Sequence, residues 1–140
     1  MSSMLARFKT QIVSDEGWKN KPYRDHLGVL TIGPGFNLEE GFSDEELELV
    51  FDHRVIRRYS ALLTNFPIVK DLSDPRQAAL LNMAWQMGIP RLKGFKNMWK
   101  AINESLWDQA SLHGLDSKWA KQTPARAKRV MQQLRTGEWV

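Results

Sequence analysis

Three helix starts are spelled out in this 140-residue chain, and between them they leave room for only one small sheet. Ser43-Asp44-Glu45-Glu46 is a capping box. The serine hydroxyl satisfies an orphan N–H of the first turn, and the glutamate reaches back to the serine amide. Asp74-Pro75-Arg76-Gln77 places an N-cap before a proline at the first helical position, and Thr123-Pro124 repeats the signal. The first start predicts a helix to about residue 63, with Leu47, Val50, Phe51, Val55 and Leu62 on one side. The second carries Ala78, Leu81, Met83, Ala84 and Trp85 and stops at Gly88. The third runs to Gly137 in the C-cap position. Residues 94–104 and 106–112 read as two short helices. Residues 4–14 carry Leu5, Phe8, Ile12 and Val13 at spacings of three and four, a short helix ending near Glu16. Only residues 17–38 carry β-type runs, at Tyr23–Arg24 and Val29–Ile32, with turns near His26–Gly28 and Gly33–Gly35. The expected class is α+β, mostly α.

Bulk properties narrow the chemistry. The length fits one domain, or two small lobes sharing a core. There is no cysteine, which excludes disulfides, thiolate metal sites and a cysteine nucleophile. His26, His53 and His113 show no metal-ligand spacing, and no cofactor is expected. The net charge of +4 suits an anionic partner such as nucleic acid, an anionic membrane or a bacterial wall, and equally suits ordinary solubility. Residues 1–13 hold no long apolar run, so neither a secretory signal nor a membrane span is expected there.

The densest chemistry lies in Asp15-Glu16-Gly17 … Tyr23-Arg24-Asp25 … Leu30-Thr31-Ile32-Gly33-Pro34-Gly35. Hydrolysis of a glycosidic bond needs one carboxyl group as proton donor and a second to handle charge or water. Glu16 falls where a helix ends, and the electronegative end of a helix helps keep a proton on an acid. Asp25 lies on a strand or turn, more solvated and hence ionised. Thr31 offers a hydroxyl to hold a water for Asp25. Residue types alone also permit an ordinary surface acid, a turn aspartate and a strand threonine.

Order and spacing go further. Glu, eight residues, Asp, five residues, Thr, set in "DEG…PYRDHLGVLTIGPG", resembles the catalytic segment of phage-type lysozymes, the muramidase endolysins of glycoside hydrolase family 24. "AALLNMAWQMG" at 78–88, "GFKNM" at 94–98, "LWDQA" at 106–110 and "SKWAKQTPARAKRVMQQLRTGEW" at 117–139 look like successive C-lobe segments of the same family. The resemblance implies a lysozyme-like fold over 1–140. It has a small β-containing lobe at about 14–42, a connecting helix at about 43–63 and a helical C-lobe at about 64–140, with helix 4–14 packing on that lobe. It implies Glu16 as general acid, Asp25 as general base or electrostatic stabiliser in an inverting reaction, and Thr31 as the water-positioning hydroxyl. Trp85 and Gln86 match an aromatic and an amide that line the saccharide cleft. Met98, His113 and Asn37 join the substrate-binding set, and Arg126 matches an arginine that reaches the acid. Two departures stand out. Phe36 occupies a position where the family often has a histidine paired with a C-lobe acid, and the stretch 39–72 is shorter than in the best-known members.

The function so implied is cleavage of peptidoglycan between N-acetylmuramic acid and N-acetylglucosamine, lysing a host at the end of phage infection. The protein would be a monomer without nucleic-acid partner or stable membrane insertion. It would wait in the host cytoplasm until a holin opens the way to the periplasm and wall. Two other readings predict different behaviour. A basic helical binding module, using Arg126, Lys128, Arg129 and Arg135, would bind anionic polymers or membranes in a salt-sensitive way and ignore loss of Glu16. A lysozyme-derived transglycosylase would keep the acid and leave anhydro-muramyl ends. The tryptophans at 18, 99, 107, 119 and 139 read most simply as core anchors.

Overall fold

The structure, a computed structural model, describes residues 2–140; Met1, the first residue of the expected domain, lies outside them. It contains two compact units, Met1–Phe51 and Asp52–Val140.

In the first unit, α1 (Ser3–Glu16) opens on Ser2, whose hydroxyl accepts from Leu5 N at 3.3 Å. It closes on Gly17, where φ is 79°, a conformation glycine adopts without steric cost. Three antiparallel strands follow in the order β1 (Lys19–Arg24), β2 (Leu30–Gly33) and β3 (Phe36–Asn37). β1 begins earlier than Tyr23, where the sequence reading starts it. Its register shifts between Lys19 and Tyr23, and Pro22 falls in that irregular stretch, where a missing N–H costs no ladder bond. β3, two residues long, has no periodicity to detect.

The apolar spacing of α1 does not translate into burial: Leu5, Phe8 and Val13 stay exposed. Thr31 is the only fully buried residue among the described residues of this unit. Some fifty residues with one short sheet supply little surface to pack against.

The helix α2 (Asp44–Asn65) starts in the first unit and ends in the second. Its capping box is formed as read: Ser43 N donates to Glu46 Oε1 at 2.9 Å, and Glu46 N donates to Ser43 Oγ at 3.1 Å. Of the stripe expected along one side, only Leu62 is buried, while Leu47, Val50 and Phe51 are exposed. Bonding to the Ser43 backbone and then to its side chain holds the Glu46 pKa below its usual 4.5. A lowered folded-state value adds stability above the ordinary carboxylate pKa, and that stability is lost as pH falls through the lowered value. Ser43→Ala is expected to cost about 1 kcal/mol at neutral pH. Glu46→Gln removes the titrating group itself, so its gap to wild type should narrow in denaturation curves taken progressively below pH 4.5.

The second unit holds the core. A 3-10 turn (Pro67–Asp71) leads to α3 (Asp74–Met87), α4 (Ile89–Lys93), α5 (Lys96–Asn103), α6 (Trp107–Leu115), α7 (Lys118–Gln122) and α8 (Pro124–Thr136). Leu62, Leu80, Met83, Leu92, Ile102, Met131 and Leu134 are essentially inaccessible. The helices α3 and α6 both pack on α8, and α5 packs on α6. Gly114 makes the α6–α8 approach possible, since a Cβ there would lie 2.2 Å from Met131 Sδ.

Local signals were read with small offsets. α3 starts at Asp74 with Ser73 as the cap residue, so Asp74 sits inside the first turn, where its charge still favours the helix. Gly88 and Gly137 end their helices at φ of 85° and 72°. Two tryptophans are not core anchors. Trp18, on the lead-in to the edge strand β1, is 67% exposed, and Trp139, beyond the end of α8, is 68% exposed. Trp119 and Trp99 are buried, and half-buried Trp107 lies under Arg76, whose guanidinium sits 3.9 Å from the ring centroid. Arg76 also donates to the carbonyls of Leu134 and Arg135, tying α3 to the last turn of α8.

Candidate active site

Glu16 is the last residue of α1, and the chain turns sharply away at Gly17. Its side chain is exposed. The turn between β2 and β3 comes up against it: a Cβ on Gly35 would lie 3.0 Å from Glu16 Cγ and 3.1 Å from Cδ. Gly35, at φ 82°, is therefore required twice, for its backbone and for the room it leaves the acid.

Asp25 follows β1 directly. One carboxylate oxygen, Oδ1, accepts from both Leu27 N and Val29 N at 2.9 Å, and Asp25 N donates to Val29 O at 3.0 Å. These bonds fix the plane of the carboxylate and leave Oδ2 for other work. Thr31 pairs with Tyr23 on one side and with Asn37 on the other. Its Oγ1 donates to Val29 O at 2.8 Å, so the hydroxyl proton is committed and the oxygen lone pairs remain. Val29 thus serves both groups, its N–H bonding Asp25 and its carbonyl bonding Thr31. Asn37 spends its Oδ1 on the amides of Glu39 and Glu40, shaping the turn after β3. The first unit therefore gathers Glu16, Asp25 and Thr31 around one sheet of twelve residues. Phe36 meets Phe42 edge-on at 6.3 Å, an aromatic contact where a histidine would have sought a charge partner.

The remaining residues singled out from sequence lie in the second unit. Trp85, on α3, is 39% exposed and is not a core residue. Gln86 is partly committed: its Oε1 accepts from the buried Trp119 indole at 2.8 Å, and its Nε2 approaches Thr123 Oγ1 at 3.4 Å. Thr123 in turn donates to Trp119 O, so its hydroxyl anchors α7 and does not cap α8. Met98 and His113 line one cavity of about 560 Å³, Met98 buried in its wall and His113 exposed. Phe95 and Trp119, in edge-to-face contact at 6.2 Å, also line it. So do Arg91, Lys96, Lys118 and Asp116, which the sequence reading missed. These four come from α4, α5, α7 and the loop before α7, and no local pattern links them. Arg126 Nε donates to Asn82 Oδ1 at 2.9 Å. Among the described residues, no group of three or more His, Cys, Asp or Glu side chains is arranged to hold a metal ion, and no helix is long and apolar enough to cross a membrane.

A pair of carboxyl groups held beside one small sheet can serve acid–base hydrolysis of a glycosidic bond. The family model of phage lysozymes matches residues 13–136. Two probable T4-type lysozymes of Dictyostelium discoideum are each 29% identical, over 96% of both chains. The pre-baseplate central spike protein Gp5 of Enterobacteria phage T4 is 34% identical over 91% of this chain, which matches 22% of that longer protein. The chain belongs to the phage lysozyme family. It is a lysozyme, a glycoside hydrolase acting on peptidoglycan.

Proposed function

We propose that the enzyme cleaves the β-1,4 bond between N-acetylmuramic acid and N-acetylglucosamine with inversion, using Glu16, Asp25 and Thr31. The observation that carries this is the treatment of Asp25. Two backbone N–H groups hold its Oδ1 while Oδ2 stays uncommitted, and Thr31 is fixed through the same residue, Val29. A hydroxyl that has spent its proton accepts a hydrogen from water. A carboxylate oxygen nearby takes the other. Such a water has a lone pair aimed at the anomeric carbon, which is what an inverting hydrolase needs. Glu16 supplies the proton to the departing oxygen, and Asp25 accepts the proton that the attacking water loses. Trp85 offers a ring for a sugar face, and the remaining amide hydrogen of Gln86 serves an acetamido oxygen. Asn37 acts through the turn it shapes. Met98 and His113 contribute through the cavity they share.

The test is the anomer of the newly formed reducing end, read by proton NMR within the first turnovers on a soluble peptidoglycan oligomer. The α-anomer is expected. A β-anomer would mean retention and would remove the water-activating role from Asp25 and Thr31.

In the cell, this activity lyses the host at the end of phage infection. The enzyme works as a monomer. It gathers in the host cytoplasm and reaches the periplasm and wall once a holin has opened the inner membrane. The charge of +4 draws it to the anionic wall.

A further inference from the structure

Within the second unit, two neighbouring side chains of α2 hold the two ends of α3. Tyr59 Oη donates to Gln77 Oε1 in the first turn. Arg58 Nη1 donates to Ala84 O at 2.7 Å in the last turn, a bond between residues 26 apart. That carbonyl also accepts the N–H of Gly88, the cap residue, at 2.9 Å, so Arg58 takes its second lone pair. A Cβ on Gly88 would lie 3.9 Å from Arg58 Nη1, which places the guanidinium beside the turn that ends the helix. Arg54 and Arg57, on the same helix, are exposed, and Arg58 is half-buried. The two residues after Ala84 are Trp85 and Gln86. We propose that Arg58 is a positioning residue for substrate binding: by holding Ala84 O it fixes the last turn of α3, and with it the directions in which Trp85 and Gln86 face the saccharide. The inference rests on the reading of Trp85 and Gln86 as cleft residues.

The end of a helix is where such a hold matters. Its last four carbonyls have no partner within the helix, and its last turn frays first. The same carbonyls carry the negative end of the helix dipole, which favours a cation there. Arg58 meets both needs with a charge-assisted bond, stronger than a neutral one. Ala84 is fully buried, so loss of the guanidinium strips a desolvated carbonyl of one of its two donors. Side-chain direction advances by about 100° per residue around a helix, so a small unwinding of this turn re-aims both Trp85 and Gln86. Gln86 has a second hold, its Oε1 on the Trp119 indole at 2.8 Å, which orients the amide and not the backbone of the turn. Glu16, Asp25 and Thr31 belong to the first unit, so the loss of Arg58 acts on binding and not on the chemical step.

The test is steady-state kinetics of the full-length enzyme on a soluble, uncrosslinked peptidoglycan oligomer, with melting temperatures taken alongside. Arg58→Gln should raise KM about tenfold, the low end of what a hydrogen bond to a charged group contributes, and leave kcat within about twofold. Arg58→Lys, which keeps a charged donor on a flexible stem, should fall between Arg58→Gln and wild type. In NMR spectra without substrate, the Trp85 indole N–H signal should move in Arg58→Gln and return toward its wild-type position in Arg58→Lys. A bond that served stability alone would lower the melting temperature and leave KM unchanged, and that result would overturn the proposal. So would a KM for Arg58→Lys as high as for Arg58→Gln, or a fall in kcat with KM unchanged. The Trp85→Ala/Gln86→Ala variant, run beside them, separates this inference from the reading beneath it. A raised KM in that variant with a wild-type KM in Arg58→Gln would sink the role of Arg58 alone. A wild-type KM in that variant would remove the cleft role of both residues, and this inference with it.

Discussion

Replacing Glu16 with glutamine is expected to slow clearing of outer-membrane-permeabilised Gram-negative cells by at least about a hundredfold, the scale of a positioned general acid. The substitution keeps size and hydrogen-bonding capacity and removes the transferable proton. It should leave stability within about 0.5 kcal/mol, because the side chain is exposed. The fold loses nothing and the reaction loses its proton donor, so a thermal melt and a turbidity trace on one sample separate the two. Clearing at the wild-type rate would make lysis a physical effect of the basic protein.

The second large effect concerns stability. Gly114→Ala is expected to destabilise the protein by about 1–3 kcal/mol, the usual cost of forcing extra volume into a packed interior. Helix propensity argues the other way, since alanine is favoured over glycine by about 1 kcal/mol in a helix interior. Geometry decides between them. The new Cβ would lie 2.2 Å from Met131 Sδ and 3.3 Å from Met98 Sδ, and Met131 is fully buried. Denaturant midpoints for Gly114→Ala, Met131→Ala and the double variant check this. Removing the Met131 side chain should make the alanine at 114 harmless or stabilising, so the double variant should be less destabilised than the sum of the single ones. Strict additivity would show that α6 and α8 do not meet through these atoms.

Legibility from sequence followed the range of the forces involved. Helix starts and stops depend on neighbours three or four residues away, so Ser43, Gly88 and Gly137 were readable and stand where expected. The family resemblance, carried by Glu16, Asp25 and Thr31 in their spacing, belongs to the same legible layer and agrees with the family match. What could not be read depends on partners remote in sequence. Amphipathic spacing marked Leu5, Phe8, Val50 and Phe51 as one-sided, but spacing says nothing of whether a surface stands opposite, and these residues are exposed. Gln86 matches a cleft-lining amide; that its Oε1 also accepts from the Trp119 indole, 33 residues on, is a tertiary fact. The 3-10 turn at 67–71 and the single-turn helices α4 and α7 are too short for a periodicity to declare itself.

The most direct test of the central claim, that Glu16 drives hydrolysis of the muramic acid–glucosamine bond, is the chemistry of the ends released from purified sacculi. After digestion and borohydride reduction, the new ends are identified by mass spectrometry, for wild type and Glu16→Gln side by side. Reduced muramic acid ends are expected from wild type and almost none from the variant. Anhydro-muramyl ends, reduced glucosamine ends, or equal release by the two proteins would contradict it.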